Sequence, residues 1–176
     1  MSFDVSASAY SSFMGEYSKP LSTLFVDWCE VNPGQRALDV GCGPGNLTAE
    51  LVARLGVSSV AAVDPSASFA AAAGERFPEL DVRLASAEHL PFVDAEFDIS
   101  LAQLVVLFMS DAVAGLREMA RVTKPTGMVA ANVWDHAGGN GPLSTFWAAA
   151  HDLDPDAPSE TWRPGTREEH LAELLR

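Results

Sequence analysis

The chain has 176 residues, 48% of them apolar, which suits one domain with its own core. Its formal net charge is −13 and its 11 Lys and Arg residues form no basic run, which argues against a nucleic-acid face, because phosphate contacts need clustered cations. There is no membrane-length apolar stretch, no secretory signal pattern, and Cys29 and Cys42 have neither metal-ligand spacing nor a disulfide framework. A cytoplasmic protein without a metal centre or a membrane segment is expected.

In chain order, Met1 to Lys19 carries Tyr10, Phe13, Met14 and Tyr17 and reads as an amphipathic helix or an aromatic lid. Pro20 then opens a helix whose apolar residues Leu21, Leu24, Phe25 and Trp28 follow i, i+3, i+4, i+7 spacing. The turn Asn32-Pro33-Gly34 leads into a first strand, Arg36 to Val40. A loop with glycine at alternate positions follows, Gly41-Cys42-Gly43-Pro44-Gly45, and then a helix over Leu47 to Leu55 stopped by Gly56. Val57 to Val63 is the second strand, closed by Asp64-Pro65-Ser66. Ala67 to Phe77 is a helix, Asp81 to Ala85 a third strand, Ser86 to Phe92 a loop, and Phe97 to Gln103 a fourth strand. Asp111 caps a helix running to Arg121, Lys124-Pro125-Thr126-Gly127 makes a turn, and Met128 to Trp134 is a fifth strand. Beyond a glycine-rich connection, Leu143 to Asp152 reads as helical. Thr166 with Glu169 forms a capping box for a last helix carrying Leu171, Leu174 and Leu175. Strands alternating with helices imply an α/β fold: a Rossmann-like, doubly wound, mainly parallel sheet with helices on both faces. The expected organisation is a helical cap over 1–35, a core over 36–135 and a helical segment over 136–176, all in one domain.

The glycine loop between a strand and a helix is where such a sheet holds a ligand. A dinucleotide fingerprint reads G-x-G-x-x-G/A; here the third glycine comes one residue early and Asn46 stands where Gly or Ala belongs, which weakens a nicotinamide oxidoreductase reading. A P-loop would need a lysine, and the loop has none.

Five pieces line up in one order: Asp39 to Gly45, Asp64, Ala85 to Phe92, Phe97-Asp98-Ile99 with Gln103, and Arg117 to Gly127. Together they resemble the class I S-adenosylmethionine (SAM)-dependent methyltransferases, in particular the methyltransferase type 11 group related to the ubiquinone and menaquinone biosynthesis enzymes. The resemblance implies SAM as cofactor, S-adenosylhomocysteine (SAH) as product and a small-molecule acceptor methylated at O, N or C. It places Gly41, Cys42 and Gly43 beside the amino-acid part of SAM, with Asp39 holding the loop. Asp64 and Pro65 fall at the ribose, Ser86, Ala87 and Glu88 at the adenine, and Gln103 and Leu104 beneath the sulfonium. For a base, the candidates are His136 and Asp135, directly after the fifth strand.

Departures from the family pattern carry their own expectations. Ser86 stands where Asp is common, and relatives are expected to carry a basic residue near the position of Glu16, so a lid that pairs with the SAM carboxylate is not implied here. Only five strands are read, so the usual C-terminal hairpin of two further strands is expected to be missing. An uncovered sheet edge would favour a homodimer. The alternative reading is a non-catalytic SAM-binding or partner-binding domain that works through that edge.

Overall fold

The structure, a computed structural model, describes residues 14–176. Tyr10 and Phe13 of the expected N-terminal segment lie outside the described residues. Five strands form one parallel sheet: β1 (Ala37–Val40), β2 (Val60–Asp64), β3 (Asp81–Leu84), β4 (Phe97–Gln103) and β5 (Thr123–Asn132), in the order β3-β2-β1-β4-β5. β1 and β2 are buried along their whole length, as unbroken apolar runs in a parallel sheet covered on both faces should be. Ala37 is level with Val60 on one side and Ile99 on the other. The chain winds outward from β1 through β2 to β3, then returns to β4 on the opposite side. That reversal opens a crevice at the carboxyl ends of β1 and β4.

Helices α1 (Gly15–Trp28), α2 (Asn46–Leu55) and α3 (Ala67–Arg76) cover one face. Phe25, Val26, Leu51 and Ala73 pack there with Ala62, Ile99, Leu101 and Ala130. On the other face α4 (Ala112–Val122) buries Leu116, Met119 and Val122 with Leu38, Val40, Val63 and Phe97. Leu171 and Leu174 of the short α6 (His170–Leu174) pack against that cluster, whereas α5 (Ser144–Leu153) buries no residue. The doubly wound α/β architecture is as the alternation of elements implies. Among the described residues no hairpin follows β5, and no helix is long and apolar enough to cross a membrane.

Local departures have physical causes. Pro20 lies inside α1 instead of opening it, because near a helix start a proline forfeits only one backbone bond. The buried side of α1 is also rotated from the expected stripe: Ser18 and Ser22 are buried, while Leu24 is 66% and Trp28 71% exposed. Val57–Ser59 is a 3-10 turn, so β2 starts at Val60. Lys124 to Gly127 does not precede β5 but bulges within it, since Phe97 pairs with Thr123 and Ile99 next pairs with Met128. The expected capping box does not form: the Thr166 hydroxyl donates to the Arg163 carbonyl at 2.9 Å, and α6 starts only at His170. The cap at Asp111 does form, with its carboxylate accepting from the Ala114 amide at 3.0 Å.

Candidate functional site

The glycine loop hangs from the tip of β2. The Gly41 and Cys42 amides both donate to the Val63 carbonyl, at 2.8 and 2.9 Å. Gly41 has φ +73°, and a β-carbon there would collide with the Val105 side chain, so backbone geometry and space both require glycine. Gly43 has φ +54° and its amide donates to Asp64 Oδ2 at 2.8 Å. A β-carbon on Gly43 would meet nothing within 4 Å, so the bare backbone faces open space. From below, Arg76 at the end of α3 donates to the carbonyls of Gly45 (2.9 Å) and Pro44 (3.2 Å).

Above this loop, at the carboxyl ends of β1, β2 and β4, lies a cavity of about 700 Å³, within the range of small-molecule and cofactor sites. Every residue expected from the sequence to bind the cofactor lines it: Asp39, the loop residues Gly41, Cys42 and Gly43, then Asp64 and Pro65, Ser86 to Glu88, and Gln103 with Leu104. Asp135 and His136 do not line it. Asp135 instead accepts from the Gly138 amide and the Asn140 side chain, at 2.7 and 2.8 Å, and His136 Nδ1 lies 3.8 Å from Glu160.

The lining is acidic. Asp39 is 1% exposed and accepts from the Thr48 hydroxyl at 2.6 Å. Burial pushes its carboxyl up to about 7, the Thr48 bond opposes that, and the nearby Asp64 charge adds to it. Asp64 is also raised by burial, against the bonds it accepts from Ser66 (2.8 Å) and Gly43. The Cys42 thiol is held neutral by burial and by the two carboxylates, which makes it no nucleophile. Burial acts to raise Glu88 as well, but backbone bonds, including the Ser110 and Asp111 amides at 2.8 and 3.2 Å, outweigh it and hold this carboxyl low. Its lining position therefore coexists with a role in fastening the chain before α4.

A polar seam joins α1 to the site. Asn46 Nδ2 donates to Ser18 Oγ at 2.7 Å, and Gln103 Nε2 donates to Ser18 O (3.1 Å) and Ser22 Oγ (2.8 Å). Ser18 and Asn46 line the cavity, and so does the stretch from Phe108 to Ser110. None of these follows from the motif. The one sequence signal is the i, i+4 pair of serines on a helix otherwise ready to bury apolar residues. Leu104, just past β4, has φ +61°, and its amide donates to the Asn132 carbonyl (2.9 Å) and to Asn132 Oδ1 (3.2 Å). A non-glycine residue in the left-handed region at a cavity edge is the strained backbone that functional sites tend to hold.

The sequence profile of the methyltransferase domain matches residues 38–131, from β1 to the end of β5. The chain belongs to the methyltransferase domain family. An uncharacterized protein of Mycobacterium tuberculosis is 30% identical to this methyltransferase domain over 172 residues, covering 94% of the chain and 61% of that relative. The demethylmenaquinone methyltransferase of Beutenbergia cavernae is 39% identical over 102 residues, covering 58% of the chain and 42% of that enzyme. A methyltransferase solved in complex with the Haloferax volcanii Trm112 methyltransferase activator shares the fold with a TM-score of 0.75 at 18% identity, over 99% of this chain and 76% of that one. The chain spans only 57–61% of the length of the mycobacterial relatives.

Proposed function

We propose that this domain is a SAM-dependent methyltransferase for a small-molecule acceptor. The observation that carries the reading is the Gly43 amide bonded to Asp64, an exposed stretch of backbone beside a carboxylate, opening into a cofactor-sized cavity. The residues fit the group. Each Asp64 oxygen accepts one amide and keeps a further lone pair, so the carboxylate can also take both ribose hydroxyls. The open face of Gly43, with Gly41 and Cys42, receives the amino-acid part, and Asp39 steadies the loop through Thr48. Pro65 borders the ribose, while Ser86, Ala87 and Glu88 line the adenine end. Gln103 and Leu104 face the reacting end. When bound, SAM supplies an activated methyl group for in-line displacement, and the chain's contribution is alignment.

Calorimetric titration with SAH, using NAD as control, tests the reading. SAH should bind and NAD should not, and Asp64→Ala should weaken SAH by about 1–3 kcal/mol, the loss of a charged hydrogen-bond acceptor. A folded protein that ignores SAH would overturn the methyltransferase reading and leave a scaffold that works through a partner. Unchanged affinity in Asp64→Ala would remove that residue from the site.

A further inference from the structure

The cavity wall between β4 and α4 is formed by Leu104, Val105 and Phe108 to Ser110. Its first end lies on the glycine loop, where the Val105 side chain fills the place that a β-carbon on Gly41 would take. Its last end is fastened by Glu88, through the Ser110 and Asp111 amides. Between these ends Val106–Phe108 makes a 3-10 turn that buries Val106 and Leu107 and leaves Phe108 45% exposed at the cavity. A ring so exposed takes less of its position from core packing than its two buried neighbours do.

Arg163 reaches this turn from the C-terminal segment, beyond the matched residues 38–131. Its Nη1 donates to the Leu107 carbonyl at 3.3 Å. Its guanidinium carbon lies 5.3 Å from the centroid of the Phe108 ring and 5.4 Å from that of Trp162. Both are within the roughly 6 Å over which a cation and an aromatic face attract. Trp162 is 74% exposed, so the guanidinium joins an outer ring to one that lines the cavity.

The acid beside Arg163 does not account for that placement. Glu160 Oε1 stands 3.8 Å from Arg163 Nε, too far for a hydrogen bond, and Nε is buried with no partner among the described residues. The other Glu160 oxygen stands 3.8 Å from His136 Nδ1. A guanidinium placed for its ion pair would turn Nε onto the carboxylate, whereas this one keeps the Leu107 carbonyl and the two rings. The turn that carries it is firmly based. Thr166 is fully buried, its hydroxyl donates to the Arg163 carbonyl, and its own carbonyl accepts from the Ala137 amide at 3.0 Å, which ties the turn to the chain just after β5.

We propose that Arg163 is a positioning residue, which sets the Phe108 ring as part of the cavity wall at the adenine end, where Glu88 holds the same stretch. The inference rests on the SAM reading above and extends the cofactor site to a residue outside the matched domain. Arg163 does not line the cavity, so it acts through Phe108.

The test is calorimetric titration with SAH of the wild-type chain, Arg163→Met, Phe108→Ala and the double variant. Arg163→Met removes the cation and keeps an apolar stem, and it should weaken SAH about fivefold, as the loss of one partly desolvated cation–aromatic contact would. Phe108→Ala should weaken SAH at least as much. Adding Arg163→Met to Phe108→Ala should then change Kd by less than about twofold, since the ring it acts on is gone. 5′-Methylthioadenosine keeps the adenine and lacks the amino-acid part, so Arg163→Met should weaken it to the same extent as SAH. A general loosening of the fold would lower affinity alike with and without the ring, and multiplied losses in the double variant overturn the proposal. So does an Arg163→Met chain that binds SAH as the wild type does, or one that loses SAH but not 5′-methylthioadenosine. Should Arg163→Met fail to fold, Arg163→Lys takes its place. It keeps the charge without the planar guanidinium and should lose about threefold, an unchanged Kd overturning the proposal in the same way. A wild-type chain that ignores SAH overturns the SAM reading itself, and the proposal with it.

Discussion

Asp39 shows how one side chain ties stability to pH in this site. Its carboxyl is raised from an ordinary 3.8 to about 7 in the fold, so between those values the folded chain holds a proton that the unfolded chain has released. Stability from this group is complete below about pH 4 and is lost as pH rises through about 7. Asp39→Asn keeps an oxygen for the Thr48 hydroxyl and never ionises. Urea unfolding between pH 4 and 8 should therefore show a flatter profile for the variant, and a gain at pH 8 on the order of a few kcal/mol. Asp64 is raised in the same direction and is present in both proteins, so the difference between them reports Asp39 together with its coupling to the Asp64 charge. Identical profiles would mean that Asp39 is hydrated in solution. At this scale the motif is informative at Asp64, which closes β2 and accepts the Gly43 amide, whereas Asp39, one residue before the end of β1, accepts from the Thr48 hydroxyl.

Elements contribute by holding the loop that the motif writes. Arg76, the last residue of α3, fastens the Pro44 and Gly45 carbonyls, and its guanidinium lies 5.0 Å from the Phe77 ring centroid. Arg76→Met should weaken SAH about fivefold, near 1 kcal/mol for one lost bond set, as read by calorimetry. An unchanged Kd would mean that the loop keeps its shape without the clamp. Arg121 of α4 serves the other wall, donating to the Leu90 and Phe92 carbonyls (3.0 and 2.9 Å) and pairing with Glu118 and Asp94 at 2.7 Å. Neither clamp is readable from spacing, since Arg76 reaches 31 residues back and Arg121 reaches 31 residues back to Leu90. The rotation of α1 is of the same kind. Periodicity favours a stripe through Leu24 and Trp28, but the polar partners offered by Asn46 and Gln103 turn Ser18 and Ser22 inward.

For the whole molecule, β4 is the strand on which both halves of the sheet depend. Phe97 at its start is fully buried, meets Phe92 edge-on at 4.9 Å and carries Arg36 5.3 Å above its ring. Phe97→Ala should cost about 3–5 kcal/mol in chemical denaturation, a cavity in a core that cannot collapse around it, and a loss under 1 kcal/mol would show the sheet relaxing. Read alone, the sequence determines the parallel α/β sheet and the glycine loop, because these depend on local period and on glycine conformations that only a tight strand-to-helix turn uses. The family resemblance adds much of the cavity lining, but not Ser18, Asn46 or Phe108 to Ser110. The sequence also marks Asp111 as a cap, a contact between near neighbours. The cap at Thr166 fails locally, since its hydroxyl donates instead to the Arg163 carbonyl three residues back. The bulge at Lys124 to Gly127 and the seam under α1 belong to the tertiary structure, because each is decided by a partner far along the chain or by the register of a neighbouring strand.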